Sequence, residues 1–132
     1  MLKQILLAGA GGFFGAASRF AIGHWIAGRT AARSDFPYAT FSVNVAGCLI
    51  IGILWAVHMH HVAVPKHWHI LLFTGVLGGF TTFSTFGWET LTLLQGQHYR
   101  TAALYTFGSL LLGLAAVWIG YSVTESLSKT SS

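Results

Sequence analysis

Charge is what this 132-residue chain has least of: Asp and Glu number 3, Lys and Arg 7, and charged residues make up 8% against 54% apolar. A water-soluble domain carries about 25% charged residues, so too few are present to cover a water-facing surface. The mean hydropathy of +0.64 agrees, and the expected solvent is a bilayer. A single cysteine, Cys48, excludes an internal disulfide, and its apolar setting suits a small packing residue. No G-x-x-x-x-G-K-[ST] run is present to cradle the phosphates of ATP. The basic residues are scattered along the chain, which argues against a nucleic-acid surface despite a pI near 9.7. No nucleophile–base pair stands out, so an enzyme is not expected. The first apolar run continues past signal-peptide length into "GGFFGAASRF", unlike a cleaved leader.

Long apolar runs are plentiful. About 20 such residues in a helix cross the hydrocarbon core, and four segments qualify, at roughly residues 4–26, 39–58, 68–94 and 101–123. The breaks "GRTAARSDFPY", "HMHHVAVPKH" and "QGQHYR" are short, which leaves one all-α domain of four transmembrane helices over residues 1–132. The end "SLSKTSS" reads as a frayed tail. Lys3, Lys66 and Lys129 fall on one side of the membrane and Arg29, Arg33 and Arg100 on the other, with Arg19 inside the first span. Orientation follows an excess of Lys and Arg on the cytoplasmic side. Three against three gives no such excess, so insertion in both directions is expected. Two opposed copies then pair about a two-fold axis in the membrane plane, as an antiparallel, dual-topology homodimer. Gly11 with Gly15, Gly75 with Gly79, and Ser109 with Gly113 are spaced to let helices approach closely and supply a packing basis for pairing.

Polar side chains recur on helical spacing. Thr40, Asn44 and Cys48 repeat every four residues, as do Tyr105, Ser109 and Gly113. Two such stripes suit either a wet path or interhelical hydrogen bonding. The run "GGFTTFSTF", Gly78 to Phe86, stands out more. At 100° per residue Phe80, Phe83 and Phe86 share one arc, with Thr81, Ser84 and Thr85 on another. Ring edges carry the positive part of the aromatic quadrupole and can help solvate a small anion in a dry site. The double glycine points to a third helix broken near its middle, and backbone freed there is tolerated only in contact with protein or a cavity. Arg19, an ionisable group inside a span, marks a pathway or a partner, or else anchors its helix at the headgroups. Glu89, the only acid of the third span, suits pairing with a basic residue or a place at a pore mouth. His58, His60, His61, His67 and His69 lie close together in sequence, but no cysteine or acid accompanies them as a metal site would favour.

These residues resemble the Fluc family of fluoride channels, also called CrcB proteins, along essentially the whole chain. "GGFFGAASRF", "PYATFSVNVAG" and "GVLGGFTTFSTFGWE" carry the resemblance, the last most specifically. It implies a fluoride-selective channel for passive export of cytoplasmic fluoride from a bacterial inner membrane, with two pores per antiparallel homodimer. It also implies roles. Phe83, Phe86 and Asn44 would line each pore, and Thr40, Ser84, Thr85, Tyr105 and Ser109 would supply a hydroxyl-rich path. Arg19 would serve the vestibule. The backbone carbonyls of Gly78 and Thr81 from both subunits would hold a central, structural Na+. Ala39 and Gly113 depart from the family's usual glycine and frequent serine. The alternative is a proton-coupled exporter of the small multidrug-resistance type, which needs an embedded carboxylate; Glu89 is the only candidate.

Overall fold

The computed structural model describes residues 1–30, 34–60 and 64–130, and these are helical with short connections. Helix α1 is Leu2–Thr30 and α2 is Tyr38–His60. Helix α3, residues 66–80, opens with an α-helical turn Lys66–His69, widens to π winding over Ile70–Leu77 and closes with Gly78–Phe80. After two extended residues, α4 runs Phe83–Gln95, and α5 is Tyr99–Thr130. Taken as Leu2–Thr30, Tyr38–Met59, Lys66–Gln95 and Tyr99–Thr130, four stretches are long and apolar enough to cross a membrane. Arg33 and His61 lie outside the described residues. The tail expected to fray continues α5 instead. Ser126, Ser128 and Thr130 donate their hydroxyls to the carbonyls four residues back, and Lys129 reaches Glu125 at 2.8 Å. Hydroxyls satisfied this way do not compete with the helix. Ser131 and Ser132 lie outside the described residues.

The helices associate as two principal pairs, α2 with α5 and α1 with α3, joined through α1 and α2. The α1–α3 contact is backbone on backbone. A Cβ on Gly11 would strike the Leu71 carbonyl oxygen and come within 2.9 Å of Gly75 Cα; one on Gly15 would strike the Val76 carbonyl oxygen and lie 2.8 Å from Phe80 N. Gly79 closes the same seam against Gly12. Glycine pairs expected to serve association between copies are therefore facing one another inside one chain. Lipid tails give no hydrophobic drive for helices to associate, so close backbone approach and its dispersion energy hold this pair. Gly52 and Gly120 do the same for α2–α5, against the carbonyls of Val117 and Leu49.

Helical geometry stops at Thr81 (φ −84°, ψ 155°) and Thr82 (φ −148°, ψ 117°). Gly78 and Gly79 themselves are helical. Gly79 thus serves packing against α1, while a Cβ on Gly78 would meet only the Phe73 carbonyl oxygen at 3.9 Å, and the extended residues are the two threonines after them. That displacement overturns the single arc of rings. Phe80 ends α3 and is buried at 9% exposure, whereas Phe83 opens α4 and is 84% exposed. A 100° step cannot be carried through two extended residues.

Candidate functional site

The two extended threonines are held from three directions. Asn44 on α2 offers its carboxamide edge to Thr82: the Thr82 N–H donates to Asn44 Oδ1 at 2.8 Å, and Asn44 Nδ2 donates to the Thr82 carbonyl at 3.1 Å. Thr82 then caps α4, its Oγ1 accepting the Thr85 N–H at 3.3 Å and donating to Thr85 Oγ1 at 3.0 Å. Thr81 turns back on α3, with both its N–H and its Oγ1 donating to the Leu77 carbonyl at 3.0 Å. From α1, Arg19 Nε donates to the Gly79 carbonyl at 3.1 Å. Arginine favours such a place because the last carbonyls of a helix lack helical donors and carry its negative dipole end.

These bonds also determine which backbone groups lose their helical partners. In a continuous helix the Thr82 N–H would close on the Gly78 carbonyl, and the Thr85 N–H on the Thr81 carbonyl. The first is diverted to Asn44 and the second to Thr82 Oγ1. Gly78 and Thr81 both line a groove of about 630 Å³ beside this break.

Asn44, Phe83, Phe86 and Ser109 line that same groove, with Cys48 and Thr106. The rings of Phe83 and Phe86 have centroids 5.6 Å apart, and Phe86 in turn lies 5.1 Å from Tyr105. Rings and amide are therefore walls of one space. Ser109 Oγ is buried with no hydrogen-bond partner in the protein. Ser84 is exposed, its hydroxyl 3.4 Å from Thr82 Oγ1.

The stripes of α2 and α5 meet level by level. At one end Thr40 Oγ1 donates to Glu89 Oε1 at 2.8 Å, and the Tyr105 hydroxyl donates to Glu89 Oε2 at 2.6 Å. Tyr105 is 0% exposed and Thr40 8%. Next come Asn44 and Ser109 on the groove wall, then Cys48, whose Sγ stands 3.4 Å from where a Cβ on Gly113 would be. Among the described residues Glu89 thus pairs with two hydroxyls, those of Thr40 and Tyr105. It bridges α2, α4 and α5.

Sequence reasoning missed Thr82 and Thr106. Thr82 carries a signal, since Thr followed by "FST" places an N-cap three residues before Thr85; Thr106 carries none, because its turn toward the groove is set by how α5 packs. Among the histidines, the rings of His58 and His69 meet at 5.8 Å, and His69 stacks on Phe73 at 4.4 Å. No group of three or more metal-ligating side chains forms among the described residues.

Known proteins resemble this chain over most of its length. The family described as "CrcB-like protein, Camphor Resistance (CrcB)" matches residues 6–121. The chain belongs to the CrcB family. Among its relatives, a protein of Acidobacterium capsulatum named "Fluoride-specific ion channel FluC" is 44% identical over 113 residues, 86% of this chain and 89% of the relative. Proteins of the same name from Oceanobacillus iheyensis and Thermus thermophilus are each 40% identical, covering 90% and 96% of this chain and 89% and 97% of theirs. Membership of the CrcB family and four membrane-length helices make the chain a multi-pass membrane protein.

Proposed function

We propose that the protein is a fluoride-selective channel that lets cytoplasmic fluoride leave passively and performs no covalent chemistry. The observation that carries this reading is the groove in which Asn44, Phe83, Phe86 and the unpartnered Ser109 hydroxyl converge beside interrupted backbone. Fluoride is small and strongly hydrated, and a pore for it must replace water with donors and positive ring edges. The start of α4 adds the positive end of a helix dipole at the same place. The names of the relatives point to the same ion. Fluoride that enters as HF and dissociates in a neutral cytoplasm is trapped, and the membrane potential drives an anion out by about 2.3 kcal/mol per 100 mV. A passive path suffices.

The working unit in this proposal is an antiparallel homodimer with two pores in a bacterial inner membrane, each third span interrupted at mid-depth. Two features of the single chain support it. Phe83 is a large ring at 84% exposure on an otherwise polar break, and the Lys and Arg count sets no preferred orientation. A structural Na+ fits the same picture. The two carbonyls whose helical donors are diverted, those of Gly78 and Thr81, are hard oxygen ligands of the kind alkali cations favour. A second copy would double their number, and the ion would neutralise carbonyl dipoles crowded at the centre.

A proton-coupled exporter needs its carboxylate open to water and substrate. Glu89 accepts from Thr40 and Tyr105 and is not on the groove wall, so that reading has no support in the geometry. Fluoride efflux from liposomes holding the purified protein tests the proposal. Fast flux that excludes chloride and disappears in Phe83→Ile is expected; equal passage of chloride and fluoride overturns it.

A further inference from the structure

A threonine inside an apolar helix has a partner within reach: its hydroxyl can turn back on the carbonyl four residues before. Thr30 on α1, Thr90 and Thr92 on α4, and Thr124 and Thr130 on α5 all do this, at 2.8 to 3.0 Å. Thr106 does not. It lies in the uninterrupted winding of α5, with the Ala102 carbonyl one turn back, yet its hydroxyl forms no hydrogen bond among the described residues. Thr106 is half-buried and lines the groove.

Its neighbour on that face of α5 is Ser109. Residues three apart on a helix lie side by side, with Cβ atoms about 5–6 Å apart. Ser109 Oγ is buried and unpartnered, so the two hydroxyls are not bonded to each other. Donors at that separation can both reach one small ion lying between them. The same groove is lined by the rings of Phe83 and Phe86. A hydroxyl left unbonded among apolar rings carries a desolvation cost unless something in the groove meets it. Helix packing and capping make no use of the Thr106 donor.

We infer that Thr106 is a specificity-determining residue of the groove, its hydroxyl acting with that of Ser109 as a pair of donors that hold a fluoride ion on the α5 wall. The inference rests on the channel reading. A small anion lets both O–H dipoles approach its charge closely, whereas a larger halide keeps them at a distance where the attraction is weaker. The two donors are fixed to one helix. They cannot spread to suit a larger ion without moving α5, which Gly52 and Gly120 hold against α2.

Thr106→Val keeps the shape of the side chain and removes its donor, and Thr106→Ser keeps the donor. Fluoride and chloride flux from liposomes and Tm in detergent are measured for both variants and the parent. Thr106→Val should lose about tenfold in fluoride flux, the scale of one hydrogen bond to a charged group, and Thr106→Ser should recover most of it. The Tm of Thr106→Val should stay at the parental value, because no bond within the protein is lost. Parental flux in Thr106→Val, a loss shared by Thr106→Ser, or a lowered Tm overturns the inference and leaves Thr106 a packing residue. A second readout needs no transport. Cys48 is the chain's single cysteine and lines the groove, so the rate at which N-ethylmaleimide alkylates the purified protein reports occupancy there. Sodium fluoride should slow that reaction severalfold against sodium chloride in the parent and in Thr106→Ser, and leave Thr106→Val unaffected. Equal rates in the two salts for the parent, or no alkylation in either, overturn the donor pair. Absence of flux in the parent overturns the channel reading instead, and the alkylation comparison then decides whether the two hydroxyls hold the ion.

Discussion

The two halves of the third span are held by different physics. Residues 66–80 lie on α1 through glycine, backbone against backbone, with Gly11, Gly15, Gly75 and Gly79 forming the seam. Residues 83–95 have only Leu93 buried and are attached through polar contacts: the Asn44 clamp, the Thr82 cap and the Glu89 bridge. The first half is fixed by shape, which tolerates no added atom. The second is fixed by hydrogen bonds, which in the proposed channel a passing ion would share or exchange. Rigidity on one side and exchangeable donors on the other are what a selective path requires, so substitutions in the two halves should fail in different ways.

The largest effect is expected in the seam. Gly15→Val would put a branched side chain into the Val76 carbonyl and 2.8 Å from Phe80 N, both main-chain groups that cannot turn aside. Overpacking of cores costs about 1–3 kcal/mol where side chains can adjust; here whole helices must separate, so folded protein should be lost. Size-exclusion chromatography of detergent extracts checks this. A Gly15→Val protein with parental yield and Tm would show that the seam is looser than its geometry.

Asn44→Ala should have a smaller effect on folding and a larger one on transport. It removes both bonds to Thr82 and leaves that residue's N–H and C=O without their partner. Hydrogen bonds between membrane helices average about 0.6 kcal/mol and reach about 1.7, so a loss of about 1–3 kcal/mol is expected for the two together. The protein should still be purified, with Tm lowered and fluoride flux down at least about tenfold. Normal flux from a destabilised Asn44→Ala protein would confine the amide to a clamp.

How far the sequence exposes this comparison depends on where helical geometry is continuous. Four spans are legible because a bilayer imposes a length on apolar runs. Thr40 and Tyr105, Asn44 and Ser109, Cys48 and Gly113 face each other as their spacing requires, since α2 and α5 run without interruption. The shared arc of Phe80, Phe83 and Phe86 fails because the step was carried across Thr81 and Thr82. Gly78 and Gly79 pointed to altered backbone nearby, but spacing does not tell a glycine that bends a helix from one that lets another helix approach. The partners of Glu89 and of Arg19 lie 16 to 60 residues away, and no local pattern encodes contacts made by packing.

The smallest expected change in stability is the one that best separates a wet path from interhelical glue. Ser109 Oγ lies on the groove wall, buried, with no partner in the protein. If the hydroxyl holds helices together, Ser109→Ala must lower the Tm. A buried hydroxyl that the protein leaves unpaired contributes no such bond, and its removal relieves a desolvation cost of about 1–3 kcal/mol to the extent that water or an ion does not already meet it. Ser109→Ala should therefore leave the Tm unchanged or slightly raised while fluoride flux falls severalfold, because the path loses a donor that nothing else replaces. Unfolding and liposome flux on the same preparation give both numbers. A lowered Tm with unchanged flux would assign the serine to packing and leave the two halves of the span alike in kind.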